Sequence, residues 1–327
     1  MSDEAHAAVA GEVQAMLTVL DGGFPKVHEM SGPEARALVA ARAQPVDNLD
    51  DADADDREVP GPGGPIRARV YRPRDARPGP RPGIVFLHGG GFVLCSIESH
   101  DGFCRRVARH TGAVVVSVDY RLAPEHRAPA AAEDAYAALV WTAEHAAELG
   151  VDADRILTAG DSAGGNLAAV TSLMARDRGG PTVAGQVLIY PVIEPDFESK
   201  GYRDYGVGHF NTRAAMEWYW KLYLGEADVP ADAPYPPEQV APLRAPDLAG
   251  LPPAIVVTAG RDPLHSEGRK YVDALRAAGV DVRHRHYPEL FHGFVTIGPF
   301  GPAAAARDLL WSDIAALLGR STQRSSA

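Results

Sequence analysis

The chain has 327 residues, enough for one large α/β domain with a cap or for two modest domains. Its formal net charge of -11 favours solubility and gives no reason to expect nucleic acid as a partner; the arginines outnumber the lysines but are scattered. The acidic N-terminus lacks the basic start of a signal peptide and no apolar run approaches a membrane span, so a cytoplasmic chain without stable membrane insertion is expected.

Residues 1 to 45 read as two short helices. Ala8, Val9, Val13, Met16 and Leu17 roughly hold one face of the first. SGPEARALVAARA gives the second, with Ser31 as N-cap and Glu34 three residues on. The stretch DNLDDADADDREVPGPGG that follows is acidic and rich in glycine and proline, and reads as a surface connection into the main domain.

The rhythm then changes. Extended segments recur as PIRARVYRP, GIVFLHG, AVVVSVDY, RILTAG, QVLIYP, AIVVTAG and VRHRHYP, several of them short continuous apolar runs suited to strands buried on both faces. Helical patterns lie between them: HDGFCRRVARHTG, APAAAEDAYAALVWTAEHAAEL, NLAAVTSLMARDRG and EGRKYVDALRAAG. This alternation predicts an α/β fold with a mostly parallel central sheet flanked by helices. The two cysteines, Cys95 and Cys104, form neither a CxxC pair nor a zinc pattern, as expected of small buried residues in a reduced chain.

One segment breaks the alternation. Between about Phe197 and Pro237 no clear sheet strand occurs, and FNTRAAMEWYWKLYLG reads as a helix starting near Asn211 or Thr212. Met216, Trp218, Tyr219, Trp220 and Tyr223 lie nearly all round it, which predicts burial on more than one side; the segment reads either as an ordinary excursion packed on the core or, as the content of the flanking segments favours, as part of a helical cap. The expected organisation is N-terminal helices 1–45, core 46–196, cap helices 197–237 and core 238–327.

Three loops at expected strand ends carry chemistry. In RILTAGDSAGGNLAAV, Ser162 sits at the centre of G-x-S-x-G, where a sharp strand-to-helix turn needs small neighbours at Gly160 and Gly164. GIVFLHGGGF runs an apolar strand into three consecutive glycines, which are entropically costly unless their unshielded N–H groups are needed. Gly89 and Gly90, with Ala163 as a third, are the candidate donors for an oxyanion. His88 is expected to shape that turn rather than act as a base. No G-K-[ST] follows the glycines and no dinucleotide fingerprint is matched, which argues against a phosphate loop.

The third element is Asp262 after AIVVTAGR, followed by His292 after a later strand. A serine hydroxyl needs a base within reach, an imidazole can shuttle the proton, and a carboxylate fixes the imidazole's tautomer. The order Ser162, Asp262, His292 is the order found in the α/β-hydrolase fold. Glu267 is an alternative acid, although it opens a helix, where a carboxylate is favourable anyway. His265 is a weak competitor as base, and His284 and His286 share one face of a strand, as packing or surface residues do. Close metal-ligand spacings are lacking, so no metal or cofactor is expected. Asp119, Arg121 and Glu125 of DYRLAPE read either as one charged network beside the glycine loop or as a plain solvated loop.

Together HGGGF (88–92), DYRLAPE (119–125), GDSAGGNLA (160–168), DPL (262–264) and HGF (292–294) resemble the hormone-sensitive-lipase-like branch of the α/β hydrolases, especially its microbial carboxylesterases. TRAAMEWYW resembles the family's cap helix, and the N-terminal helices 1–45 resemble its other contribution to the cap. The resemblance implies a cofactor-free serine esterase acting on short- to medium-chain acyl esters through an acyl-enzyme, with Ser162 as nucleophile, His292 as base and Asp262 as orienting acid. Gly89, Gly90 and Ala163 would supply the oxyanion hole. It also implies a small-molecule ester substrate and a homodimer, a common state in the family. Departures are HSEG after DPL, where many relatives have a second aspartate; Glu289, where a glycine often stands; and Cys95, where glycine is more usual. Amide, lactone or carbamate cleavage by the same triad, and a non-catalytic ligand-binding module, are the rival readings; retention of His292 argues against the second.

Overall fold

The computed structural model describes residues 3–43, 45–75, 78–226, 228–229, 232–298 and 300–319, with side chains from residue 9 onward, so Ala8 of the expected helix face lies outside the described side chains. The N-terminal segment forms α1 (Asp3–Gly23) and α2 (Gly32–Ala40). Ser31 and Glu34 make the expected reciprocal capping box at the start of α2. At 21 residues α1 is a long helix rather than a short one, and it buries Val13 and Leu17.

The main body follows as β1 (Ala52–Gly61), β2 (Gly64–Pro73), β3 (Arg81–Leu87), α3 (Ile97–Thr111), β4 (Val114–Val118), α4 (Ala130–Glu144), α5 (Ala146–Leu149), β5 (Val151–Asp161), α6 (Ala163–Asp177) and β6 (Gly185–Ile189). After it come α7 (Lys200–Tyr205), α8 (Arg213–Leu224), β7 (Ala254–Arg261), α9 (His265–Ala277), β8 (Val282–Phe291) and α10 (Ala304–Leu318). The strands make one 8-stranded sheet in the order β1-β2-β4-β3-β5-β6-β7-β8. Pairing is parallel from β4 through β8 and antiparallel at β1/β2 and β2/β4.

Strand β1 corrects the sequence reading, which took its residues for a surface connection. It is rich in carboxylates, at Asp53, Asp55, Asp56 and Glu58, and lacks the apolar pattern that marks a strand. Opposite them β2 and its flank carry arginines: Asp56 meets Arg69 and Arg67, Asp55 meets Arg72, and Asp53 meets Arg74. Cross-strand opposite charges stabilise such a ladder where apolar burial does not.

The parallel strands β3, β4, β5, β6 and β7 are buried on both faces along their apolar runs, whereas the edge strand β8 is only partly buried. Val85, Leu87, Val116 and Val118 face one side, toward α4 and α6, while Ile84, Phe86 and Val115 face the other, toward α3 and α10. Helix α6 is buried on every side from Ala163 to Ala175. Four strands end toward one region: β3 at Leu87, β5 at Asp161, β7 at Arg261 and β8 at Phe291. Loops at these carboxyl ends are where open α/β sheets hold ligands.

Candidate active site

Ser162 follows β5 directly and begins α6 with φ 55° and ψ -119°, a conformation that L residues rarely adopt. Such strain costs on the order of 1–3 kcal/mol and persists only where its surroundings hold it. Here the Ser162 N–H donates to the Ile189 carbonyl at 2.9 Å, and its own carbonyl accepts from Asn166 and Val192, each at 3.1 Å. A side chain on Gly164 would overlap the Leu87 carbonyl, and one on Gly160 would overlap the backbone of Gly164. The small neighbours of the serine therefore let strand and helix meet closely enough to form the bend.

The bend presents the Ser162 Oγ to His292 Nε2 at 2.9 Å, and His292 Nδ1 lies 2.8 Å from Asp262 Oδ2. The other carboxylate oxygen of Asp262 accepts the Leu264 N–H at 2.9 Å. All three side chains are buried. The ring of Tyr190 lies 4.7 Å from that of His292 and helps fix its plane. The three residues arrive from the ends of β5, β7 and β8, so the sheet, rather than a loop alone, sets their separation.

The alternatives are occupied elsewhere. His284 and His286 both contact the Thr258 hydroxyl, at 2.8 and 2.9 Å, and the Nδ1 of His265 faces the Asp262 carbonyl. Glu267 accepts the Ile193 N–H through Oε1 at 2.8 Å and is fully buried. Burial, together with the charges of Asp262, Glu194 and Asp196, pushes its carboxyl well above the usual range despite the Ile193 bond. The folded chain thus holds a proton that the unfolded chain releases above about pH 4.3. Stability contributed around this group falls as pH rises from there. Glu267→Gln keeps the acceptor for Ile193 and removes the titration. It is expected to raise the melting temperature at pH 8 by on the order of 3 °C, with the gain shrinking toward pH 4 and ester turnover retained; thermal melts across that pH range check this.

Asp161, beside the serine in sequence, turns away from it. Its Oδ1 accepts the Gly89 N–H at 2.9 Å and lies 3.1 Å from His100 Nε2. Burial pushes the Asp161 carboxyl up, but the His100 contact, the neighbouring His88 and the Gly89 bond outweigh it, so the group is held below its ordinary value. This bracket ties the glycine loop to the elbow. It also corrects one expected donor: the Gly89 N–H is spent on Asp161 and is not free to meet an oxyanion. Among the described residues, the N–H groups of Gly90, Gly91 and Ala163 have no hydrogen-bond partner. Gly91 has φ 61°, and a side chain there would strike the Tyr219 ring. His88 is buried, stacks on Tyr120 at 4.4 Å and is pushed down to about 4 by burial and by His100, so it serves as a neutral wall of the turn.

DYRLAPE is neither one network nor a free loop. Arg121 pairs with buried Asp134, Glu125 with Arg36 of α2, and Asp119 with Arg67. Arg36 also donates to the Val93 and Ala123 carbonyls, which fastens the N-terminal segment beside the glycine loop. Glu289 pairs with Arg261 at 2.7 Å. Cys95 adopts φ 69° on the pocket wall, and burial pushes its thiol up to about 12.

A cavity of about 220 Å³ opens over Ser162 and His292. Its walls are mostly apolar, with Leu20, Phe24 and Val27 from the N-terminal segment facing Phe210, Met216 and Tyr219 from the segment around α8. The two segments are joined directly: the Phe210 N–H donates to Asp21 at 2.8 Å, Phe24 meets Phe210 edge-on at 5.2 Å, and Trp218 Nε1 donates to the Met30 carbonyl at 3.2 Å. The side chains lining this cavity from α1 and the turn after it, Leu20, Phe24 and Val27 among them, lie outside the apolar face of Ala8, Val9, Val13, Met16 and Leu17 that the sequence singles out.

A family model described as alpha/beta hydrolase fold matches residues 84–296. Among curated proteins, the chain is 45% identical over 260 residues to the carboxylic ester hydrolase LipN of Mycobacterium tuberculosis, covering 78% of this chain and 67% of that one. It is 35% identical over 281 residues to an ethyl acetate hydrolase of Pseudomonas putida, covering 83% of this chain and 86% of the relative. Among solved structures, a thermostable esterase from Pseudomonas putida superimposes with a TM-score of 0.86 at 35% identity, over 95% of this chain and 98% of that one.

Proposed function

Since this chain belongs to the alpha/beta hydrolases, in their hormone-sensitive-lipase-like carboxylesterase branch, and is a carboxylic ester hydrolase, we propose that Ser162, His292 and Asp262 perform its chemistry through an acyl-enzyme. The observation that carries this reading is the unbroken chain Ser162 Oγ, His292 Nε2, His292 Nδ1 and Asp262 Oδ2, with contacts of 2.9 and 2.8 Å.

In the first half-reaction Ser162 Oγ attacks the ester carbonyl while His292 Nε2 takes its proton, and Asp262 stabilises the imidazolium. The carbonyl oxygen becomes negative and is met by the N–H groups of Gly90, Gly91 and Ala163, with Gly91 replacing Gly89 in the set read from sequence. Preset donors of this kind are worth roughly 2.7–4 kcal/mol each to the barrier. The tetrahedral intermediate collapses, and His292 returns the proton to the leaving alcohol. In the second half His292 takes a proton from water, the hydroxide adds to the acyl carbonyl, and collapse releases the acid and restores the Ser162 hydroxyl.

The substrates are short- to medium-chain acyl esters. The cavity of about 220 Å³ and its apolar walls support this, as does the likeness to an ethyl acetate hydrolase. The N-terminal helices and residues 197–237 form a cap over the site, a division supported by the Asp21–Phe210 and Trp218–Met30 hydrogen bonds. The reading includes a cytoplasmic homodimer; among the described residues no helix is long and apolar enough to cross a membrane. A panel of p-nitrophenyl esters from acetate to palmitate tests the substrate class. kcat/KM is expected to peak between acetate and octanoate and to fall by about a hundredfold or more at palmitate, each lost methylene contact being worth about 0.8 kcal/mol. A maximum at palmitate would refute the chain-length assignment.

A further inference from the structure

Tyr219 of α8 stands on the wall of the catalytic cavity and is 8% exposed. Its hydroxyl has no hydrogen-bond partner among the described residues, yet it is not sealed off. Trp220 Nε1, Tyr223 Oη and Asn211 Nδ2 are buried without partners, and the Tyr219 oxygen is not among such atoms, so the surface left to it opens on the cavity. The ring is fixed in place. It lies against Gly91, where a side chain would come within 2.3 Å of two ring carbons, and it packs edge-on against Trp218 at 5.1 Å. Burial, with Cys95 adding to it, pushes the phenol up, so the hydroxyl keeps its proton and stays a donor. Lys26 also lines the cavity, but its side chain is 73% exposed and pairs with Glu29 at 3.7 Å, which places it at the mouth.

The sheet fixes where Tyr219 stands along a bound ester. Strand β3, which leads into the glycine loop, and β8, which leads to His292, lie on opposite sides of β5 and Ser162. His292 returns the proton to the leaving oxygen, so the alcohol part of the ester lies on the His292 side. The acyl chain is the part free to run along the glycine loop, past the Tyr219 ring that rests on Gly91.

We infer that Tyr219 is a specificity-determining residue whose hydroxyl donates to an ether or keto oxygen in the acyl chain of the substrate, so that oxygen-bearing acyl esters are preferred over hydrocarbon ones of the same length. A substrate that fills the cavity strips water from the hydroxyl. A hydrocarbon chain then leaves the donor unpaired, whereas a chain oxygen restores its bond. A donor on a ring already locked by Gly91 and Trp218 gives up little freedom in making that bond. The inference rests on the assignment of this cavity as the ester site of Ser162.

The test compares acyl chains matched atom for atom. The p-nitrophenyl esters of propoxyacetate, 3-ethoxypropanoate and 4-methoxybutanoate are each set against p-nitrophenyl hexanoate. They are run on wild type, on Tyr219→Phe, which removes the hydroxyl and keeps the ring on Gly91, and on Lys26→Met. The readout is the ratio of kcat/KM for the oxygen-bearing ester to that for the hexanoate, which is independent of the active fraction of any preparation. Dividing the ratio in a variant by that in wild type cancels the intrinsic reactivity of each ester. In Tyr219→Phe the ratio is expected to fall about fivefold for at least one of the three chains. A ring that only packs the cap would change both members of each pair alike. Changes smaller than about threefold for all three chains in Tyr219→Phe therefore overturn the inference, and a fall confined to Lys26→Met does so by giving the contact to Lys26. Failure of wild type to hydrolyse any of these esters through Ser162 would instead overturn the assignment of the cavity as the ester site.

Discussion

Ser162→Ala is expected to lower kcat by about 10⁶-fold while leaving the fold and melting temperature close to wild type. The size follows from the absence of a substitute. Among the described residues, the only hydroxyl within hydrogen-bond distance of His292 Nε2 is that of Ser162. Removing the Oγ deletes the bond-forming atom and leaves the oxyanion donors and the cavity in place. The strained backbone at φ 55° is held by the Ile189, Asn166 and Val192 hydrogen bonds, which do not involve the side chain, so the elbow survives the change. Stopped assays on p-nitrophenyl acetate, together with circular dichroism melts of the same preparation, check both halves. Residual kcat within about tenfold of wild type would show that another group attacks the ester.

Asp262→Asn is expected to cost about 10⁴-fold in kcat at neutral pH. Asp262 Oδ2 accepts from His292 Nδ1, which leaves Nε2 unprotonated toward Ser162. An asparagine amide can donate to Nδ1 instead, and the ring then carries its proton on Nε2, where it cannot take one from the serine. Glu267 does not stand in, because its carboxyl is turned to the Ile193 N–H and away from His292. The substitution leaves the Leu264 N–H an acceptor, so the loop after β7 is expected to persist. Steady-state kinetics at pH 7 and 9 check this; a loss smaller than about tenfold would move the acid role elsewhere.

Much of this site was legible because its demands are local. The elbow needs Gly160 and Gly164 beside Ser162 for close backbone approach, and those residues stand next to one another in the chain. The parallel strands inside the sheet were legible because burial on both faces writes continuous apolar runs. Strand β1 was not, since cross-strand arginines stabilise it and a carboxylate-rich segment by itself looks like a solvated loop. The engagement of Gly89 by Asp161 was equally hidden: three glycines in a row show that N–H groups are wanted but not which of them a neighbouring carboxylate takes, and that carboxylate lies 72 residues away. The same holds for DYRLAPE, whose three charged residues find partners on β2, α2 and α4, elements that no local pattern links to the loop. Asn211 was legible only as one of two residues near a helix start; its place on the cavity wall depends on how the α8 segment meets α1.

Covalent trapping tests directly whether Ser162 is the nucleophile. Diethyl p-nitrophenyl phosphate transfers its diethylphosphoryl group to an activated serine oxygen and releases p-nitrophenolate, and intact-mass spectrometry followed by peptide mapping reads where the group lands. One diethylphosphoryl group per chain is expected, on Ser162, with full loss of esterase activity, slow labelling in Asp262→Asn and none in Ser162→Ala. Inactivation with the adduct on any other residue, or full labelling of Ser162→Ala, would contradict it.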